Sequence, residues 1–414
     1  MTMSMAASHA KGKFATDNIF DANAAAVKAA VQFGKDKVTN ATIGALLDDN
    51  EVLVCLPTVE KVLRNLPVEE LINYAPIAGL PDYLDAVIDL AVDIHRPEAY
   101  IKAIATSGGS GVIHHTIWNY TEIGDTVLTT DWFWGPYRVL CQDALRKLDT
   151  FTMFDEQQHF NMVSFQEKVT ALLAKQDSLV IILNSPAHNP TGYSLSDAEW
   201  AQVLNLCKEI AQDKSKKIIL DVDIAYLDFA GEKAASRSFM KQFGGLPENI
   251  LVILGYSMSK SFTAYGQRVG AMIGVSSSKD VIDEFVNINQ YSSRATWSNI
   301  NRGAMRMLAT IYKDKSLLAQ VDAERNRGYQ MIQERAGIFT REAKAANLKM
   351  LPFFGGYFLT IPVNNPAAVC DKLHEDNIFA VPLAQGIRIA VCAVTSRKIT
   401  GMAAAVAKAK AAVD

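Results

Sequence analysis

Apolar and polar positions along this chain alternate between two rhythms. Runs at 178–183, 217–220 and 249–254 are continuous, rich in β-branched residues, and of the length expected of buried strands. A further short strand is predicted at 126–130. Between these lie stretches of helical periodicity, such as 197–213. Helices are also predicted over 19–33, from near Pro81, over 112–120 and over 317–346, the last with charges on one side and apolar residues on the other. Thr16, Asp17 or Asn18 could cap the first of them. Residues 38–50 read as a strand breaking into a loop, 99–105 and 386–391 alternate as strands, and 349–351 and 357–361 read as strands around Gly355 and Gly356. Strands alternating with helices predict an α/β fold with a mostly parallel sheet flanked by helices.

The polar residues that close these runs carry the chemistry. Strand 178–183 leads into Asn184-Ser185-Pro186-Ala187-His188-Asn189-Pro190-Thr191-Gly192, and 217–220 leads into Asp221-Val222-Asp223-Ile224-Ala225-Tyr226. The third run stops at Gly255 and delivers Ser257, Ser259 and Lys260, with Arg268 following between Gly266 and Gly270. Asn189, Asp223 and Lys260 are each about one strand–helix–strand step apart. An amide, a carboxylate and a lysine therefore reach the same carboxyl edge of one sheet, where open α/β sheets bind ligands. A desolvated lysine there is a good Schiff-base former, because burial frees its lone pair. Two hydroxyls and a guanidinium beside it suit a phosphate. The plain alternative is a solvated Lys and Arg in a strand-to-helix loop.

Other stretches read in two ways. Strand 99–105 ends at Thr106-Ser107-Gly108-Gly109-Ser110-Gly111 before a helix, an arrangement whose free amides make an anion site. His114 and His115 are adjacent and point in different directions, so they are read as structural. Asp131-Trp132-Phe133-Trp134-Gly135-Pro136-Tyr137 is core, or a surface on which a flat group stacks. Arg388 in the middle of an apolar strand is costly unless paired. It forms an internal ion pair or waits as a fork for a carboxylate.

Composition narrows the class. The 414 residues predict two domains, and 49% apolar content is ample for a large core. A net charge of −3 without basic or acidic blocks speaks against nucleic acid or a membrane surface as partner. Five scattered cysteines without a C-x-x-C fit a reducing, cytoplasmic setting and argue against disulfides or a metal site. Residues 1–14 have no apolar core of signal-peptide length, and no window suggests a membrane span.

S-x-S-K followed by G-x-R-x-G, together with N-P-T-G and D-x-A-Y in that order, resembles the fold-type I pyridoxal-phosphate (PLP) aminotransferases, and looks closest to the aspartate/aromatic subgroup of class I. The resemblance runs from about Ile19 to the end. It implies a mobile arm at 1–16, a large PLP-binding domain at 50–316 and a small domain made of 17–49 and 317–414. It implies that Lys260 bonds the cofactor, Asp223 faces the pyridine nitrogen, and Asn189 and Tyr226 hold the phenolic oxygen. Gly109 and Ser110 meet the phosphate, Trp134 stacks on the ring, and Tyr74 reaches the phosphate of a neighbouring subunit. Gly44 lies against the substrate, Arg388 takes its α-carboxylate, and Arg294 corresponds to a second arginine that binds a side-chain carboxylate from the neighbour. Here the family's proline pair after Arg294 is missing. The implied reaction is ping-pong transfer of an amino group from an aspartate or aromatic amino acid to a 2-oxo acid such as 2-oxoglutarate, in a homodimer. A β-lyase or decarboxylase on the same fold is the alternative.

Overall fold

A computed structural model of the chain describes residues 3–14 and 18–413. Thr16 and Asp17, two of the three proposed caps, lie outside the described residues; Asn18 opens the first helix, Asn18–Phe33. The predicted arm carries one 3-10 turn, Ser8–Ala10, and its Lys13 pairs with Asp143 at 3.2 Å.

Seven strands form the main sheet: β1 (Tyr100–Thr106), β2 (Thr126–Thr130), β3 (Lys147–Phe151), β4 (Ser178–Asn184), β5 (Lys217–Asp223), β6 (Ile250–Ser257) and β7 (Gly270–Ser276). Their spatial order is β1-β7-β6-β5-β4-β2-β3, and β7 alone runs antiparallel to its neighbours. Alternation along the strands splits the core in two. Leu179, Ile181, Leu220 and Val252 enter one apolar cluster, while Val180, Ile182, Ile219 and Leu251 enter another beneath the helix Gly108–Tyr120. Both faces are covered, which is why these strands read as unbroken apolar runs.

A second sheet of three antiparallel strands, β8 (Phe358–Pro362), β9 (Val381–Pro382) and β10 (Gly386–Ala390), has β10 in its centre. It anchors a separate apolar cluster with Leu46, Ile332, Phe339 and Val406. The 31-residue helix Lys315–Ala345 joins the two regions, packing Val321 into the first core and Ile332 and Phe339 into the other. Thr39–Asn40 pairs in parallel with Ile378–Phe379, and Ala390 N donates to Ala41 O at 2.9 Å. These bonds carry the loop 41–46 across to the carboxyl edge of the main sheet.

Three expectations are corrected. Gly255 does not end its strand: it pairs with Asp223 on one side and Met272 on the other, so β6 continues to Ser257. The glycine run 108–111 is the first turn of the helix, not a turn ahead of it. Residues 349–351 form no strand, since their backbone joins the second sheet through Leu351 N to Thr360 O alone.

Candidate active site

Strands β4, β5 and β6 lie side by side, with Asn184 opposite Asp223 and Asp223 opposite Gly255. Their ends, the helix Gly108–Tyr120 and the turn holding Arg268 enclose a cavity of about 170 Å³. Gly109, Ser110, Trp134, Asn189, Asp223, Tyr226, Ser257, Ser259, Lys260 and Arg268 all line it. Residues predicted from separate motifs thus meet in one chamber.

Ser257 ends β6 and accepts from Ser259 N at 3.3 Å, which starts the single helical turn Met258–Ser261 and lifts Lys260 over the sheet edge. Lys260 Nζ donates to Gly44 O at 2.6 Å. Burial, the largest influence, lowers its pKa to about 8; Cys392 opposes this, and the guanidinium groups of Arg388 and Arg268 reinforce it. A Cβ on Gly44 would lie 2.7 Å from Phe358 Cζ, so the close approach that excludes a side chain here is to that ring.

Asp223 is buried at the end of β5. Its Oδ2 accepts from the Tyr137 hydroxyl at 2.6 Å, and Oδ1 accepts from Ala225 N at 3.1 Å. It therefore closes a turn and faces the chamber at once. Burial raises its pKa, and these two bonds hold it back. Asp221, two residues earlier on the same sheet face, is buried inside the core and lines no cavity with Lys260. Neither of its oxygens reaches a hydrogen-bond partner, and burial pushes it to about 8, a rise the nearby Thr116 hydroxyl only tempers.

At the other end, Arg268 sits in the left-handed region (φ +52°) and donates to Ser259 Oγ at 3.2 Å and Tyr265 O at 3.0 Å. Its Nη2 would lie 2.6 Å from a Cβ on Gly108, so the guanidinium lies directly over the N-terminus of the helix. Free amides, three serine hydroxyls and an arginine make this end a strong anion site.

Trp134 and Asn189 are shared with a second cavity of about 370 Å³, which Arg388, Phe14, Ile19, Trp132, Arg138 and Leu383 also line. Arg388 Nη1 donates to Asn189 Oδ1 at 3.2 Å, Nη2 to Thr42 O at 2.8 Å, and the guanidinium stands 4.2 Å from the Phe358 ring centre. Two of its partners are thus neutral oxygens. Asn189 Nδ2 donates in turn to the Tyr226 hydroxyl at 3.3 Å, linking both cavities.

Two predicted residues stay outside. Tyr74 is 82% exposed, with its carbonyl accepting from Arg302, and Arg294 is exposed and bonded to Ser298. They are the two that the resemblance assigns to a neighbouring subunit. His115 is buried against Trp297, with ring centres 4.3 Å apart, in keeping with a structural role. Sequence reasoning missed Tyr137, Tyr265 and Tyr357. Tyr137 had a signal, standing three residues after Trp134 at the start of the helix Pro136–Asp143.

A sheet with one antiparallel strand, a lysine just past β6 and a carboxylate at the end of β5 define an α/β enzyme site, and comparison with known proteins gives the family. Residues 36–406 match the aminotransferase class I and II family. The chain belongs to that family and is an aminotransferase. It is 26% identical to the aromatic-amino-acid aminotransferase of Escherichia coli strain K12 over 387 residues, 90% of this chain and 93% of that one. It superposes on the crystal structure of an aminotransferase from Anaerococcus prevotii with a TM-score of 0.96 and 39% identity, covering 99% of this chain and all of that one. The aromatic-amino-acid aminotransferase of Burkholderia pseudomallei, solved covalently bound to pyridoxal phosphate, shares the fold at a TM-score of 0.76 and 24% identity, covering 98% of this chain and 100% of that one.

Proposed function

We propose that this aminotransferase moves the amino group of an aspartate or aromatic L-amino acid to a 2-oxo acid such as 2-oxoglutarate, using Lys260 as its central residue. The cofactor is pyridoxal 5′-phosphate. The residues present fit it: an anion cradle at Gly109, Ser110, Ser257, Ser259 and Arg268, a flat side chain at Trp134, and a buried carboxylate at Asp223 lie around one lysine. That convergence carries the reading. When bound, the cofactor supplies an electron sink for the bond broken at the substrate's Cα. Asp223 holds a proton on the pyridine nitrogen, and Tyr226 and Asn189 hold the ring's phenolic oxygen. Lys260 Nζ would hold the cofactor, and as a free amine it would move the proton at the substrate's Cα; a depressed pKa keeps that amine available as a base. Arg388 binds the substrate α-carboxylate, and the Trp134 side of the larger cavity receives the side chain.

The chain works as two domains, 50–316 and 17–49 with 317–414, in a cytoplasmic homodimer. Exposed Leu71, Ile72 and Tyr74 support a partner surface, and five free cysteines suit a reducing compartment. Tyr74 and Arg294 act in the neighbour's site. The test is a screen of single amino acids against the loaded enzyme, following the cofactor's visible absorbance. Rapid change with aspartate, phenylalanine or tyrosine and its reversal by 2-oxoglutarate is expected. No change with any of them would overturn the substrate assignment.

A further inference from the structure

The Lys260 amine is surrounded by more aromatic surface than the chemistry above uses. Its Nζ lies 4.6 Å from the ring centre of Tyr265, 5.4 Å from that of Tyr357 and 5.7 Å from that of Tyr226. All three fall inside the range over which a ring face attracts a cation. Tyr226 belongs to the site already assigned, whereas Tyr265 and Tyr357 have no role there.

The two extra rings are held rigidly. Tyr357 is fully buried, with its ring packed edge-on against Tyr226 at 5.4 Å and Phe229 at 5.0 Å. The Tyr265 hydroxyl accepts from Leu46 N at 2.9 Å and shares a hydrogen bond with the Tyr357 hydroxyl at 3.3 Å. Tyr265 follows Lys260 in the turn after β6, while Tyr357 precedes β8 and Gly44 lies in the loop 41–46. Segments distant in sequence thus close on one nitrogen, and the Gly44 carbonyl accepts a hydrogen bond from it.

We propose that Tyr265 and Tyr357 are positioning residues for Lys260: with Tyr226 and the Gly44 carbonyl they form a resting station that holds the free amine and steadies it when it carries a proton. The inference rests on Lys260 being the cofactor lysine. A group that both takes and returns a proton needs its two charge states close in free energy. Desolvation disfavours the ammonium, as do Arg388 and Arg268; the ring faces and the carbonyl favour it. Cys392, the three phenols and Asp223 complete the titratable groups around the site. A purely packing role for the tyrosines would leave the amine's titration unmoved or, by relieving its burial, raise it.

The experiment is competitive acylation of the full-length chain, without cofactor and again saturated with pyridoxamine 5′-phosphate, with Lys260 modification read by peptide mass spectrometry from neutral to alkaline pH. The wild-type midpoint is expected near 8 in the chain without cofactor. In each form, Tyr265→Leu and Tyr357→Leu should lower the midpoint by roughly half a unit to one unit. Tyr357→Phe, which keeps the ring, should leave it in place. Unmoved or raised midpoints in the Leu variants overturn the proposal. Tyr265→Leu, on the more exposed ring, keeps the test open if Tyr357→Leu does not fold. Should borohydride reduction fix the cofactor on another lysine, the underlying reading fails instead, a result the titration does not produce.

Discussion

Tyr137 donates its phenol to Asp223 Oδ2 at 2.6 Å, a bond between two buried groups 86 positions apart. It favours the carboxylate form of Asp223, a support that Asp221 lacks. The bond lowers the pKa of Asp223 against the push of burial. Tyr137→Phe should therefore raise it, moving the acid limb of the kcat profile to higher pH and lowering kcat about tenfold. A pH–rate profile of the variant measures both.

Asp221 should behave in the opposite way. Its pKa rises from 3.8 to about 8 on burial, so the folded chain binds more protons than the unfolded one between those values. Stability is lost as pH rises through that window. Asp221→Asn should remove the loss, with a gain in melting temperature larger near about pH 8 than near about pH 5, and should leave turnover unchanged. Asp223→Asn should abolish turnover by orders of magnitude with the fold intact. Reversed outcomes for the two would reassign the carboxylate.

Lys260 is the predicted attachment point. Borohydride reduction followed by peptide mapping should place the cofactor there, and Lys260→Ala should keep noncovalent cofactor binding while losing nearly all turnover.

Arg388 and Arg294 should separate in kinetics. Arg388→Ala removes a charge-assisted pair worth ~1.5–3 kcal/mol, a roughly 10- to 150-fold rise in KM for every amino acid. Arg294→Ala should damage aspartate, glutamate and 2-oxoglutarate far more than phenylalanine or tyrosine. Mixed dimers of Tyr74→Phe and Lys260→Ala chains should regain one working site. Equal losses across substrates for Arg294→Ala would leave the aromatic reading ahead.

Asp228 concerns stability. It is buried between Arg237 at 2.6 Å and Arg325 at 3.2 Å, and Arg325 also donates to Ser261 O at 3.1 Å, beside Lys260. Burial alone would raise its carboxyl, but Arg325 and Arg237 hold it well below the usual range. Asp228→Asn leaves buried Arg237 without its carboxylate, while Arg325 keeps Asp322, and should destabilise the chain by ~3–5 kcal/mol in a denaturant titration. The wild type holds this contribution above about pH 4 and loses it as pH falls, so the difference should narrow in acid.

The sequence by itself determined the parts whose information is local. Apolar runs at 178–183, 217–220 and 249–254 marked strands, because a strand buried on both faces has no polar position to spare. N-P-T-G, D-x-A-Y and S-x-S-K marked their ends, and the family match at residues 36–406 bears out the resemblance. Only the tertiary structure decided what depends on pairing between distant segments. Gly255 read as a stop, yet β5 and β7 hold it in the sheet from both sides. Asp221 and Asp223 have the same side chain two positions apart on one sheet face, and only the packing of the helix Gly108–Tyr120 and the reach of Tyr137 make one a core acid and the other a chamber carboxylate. Tyr265 and Tyr357 carry no motif that relates them. They meet at Lys260 because the second sheet docks there, and docking is set by surfaces that no single stretch of sequence contains.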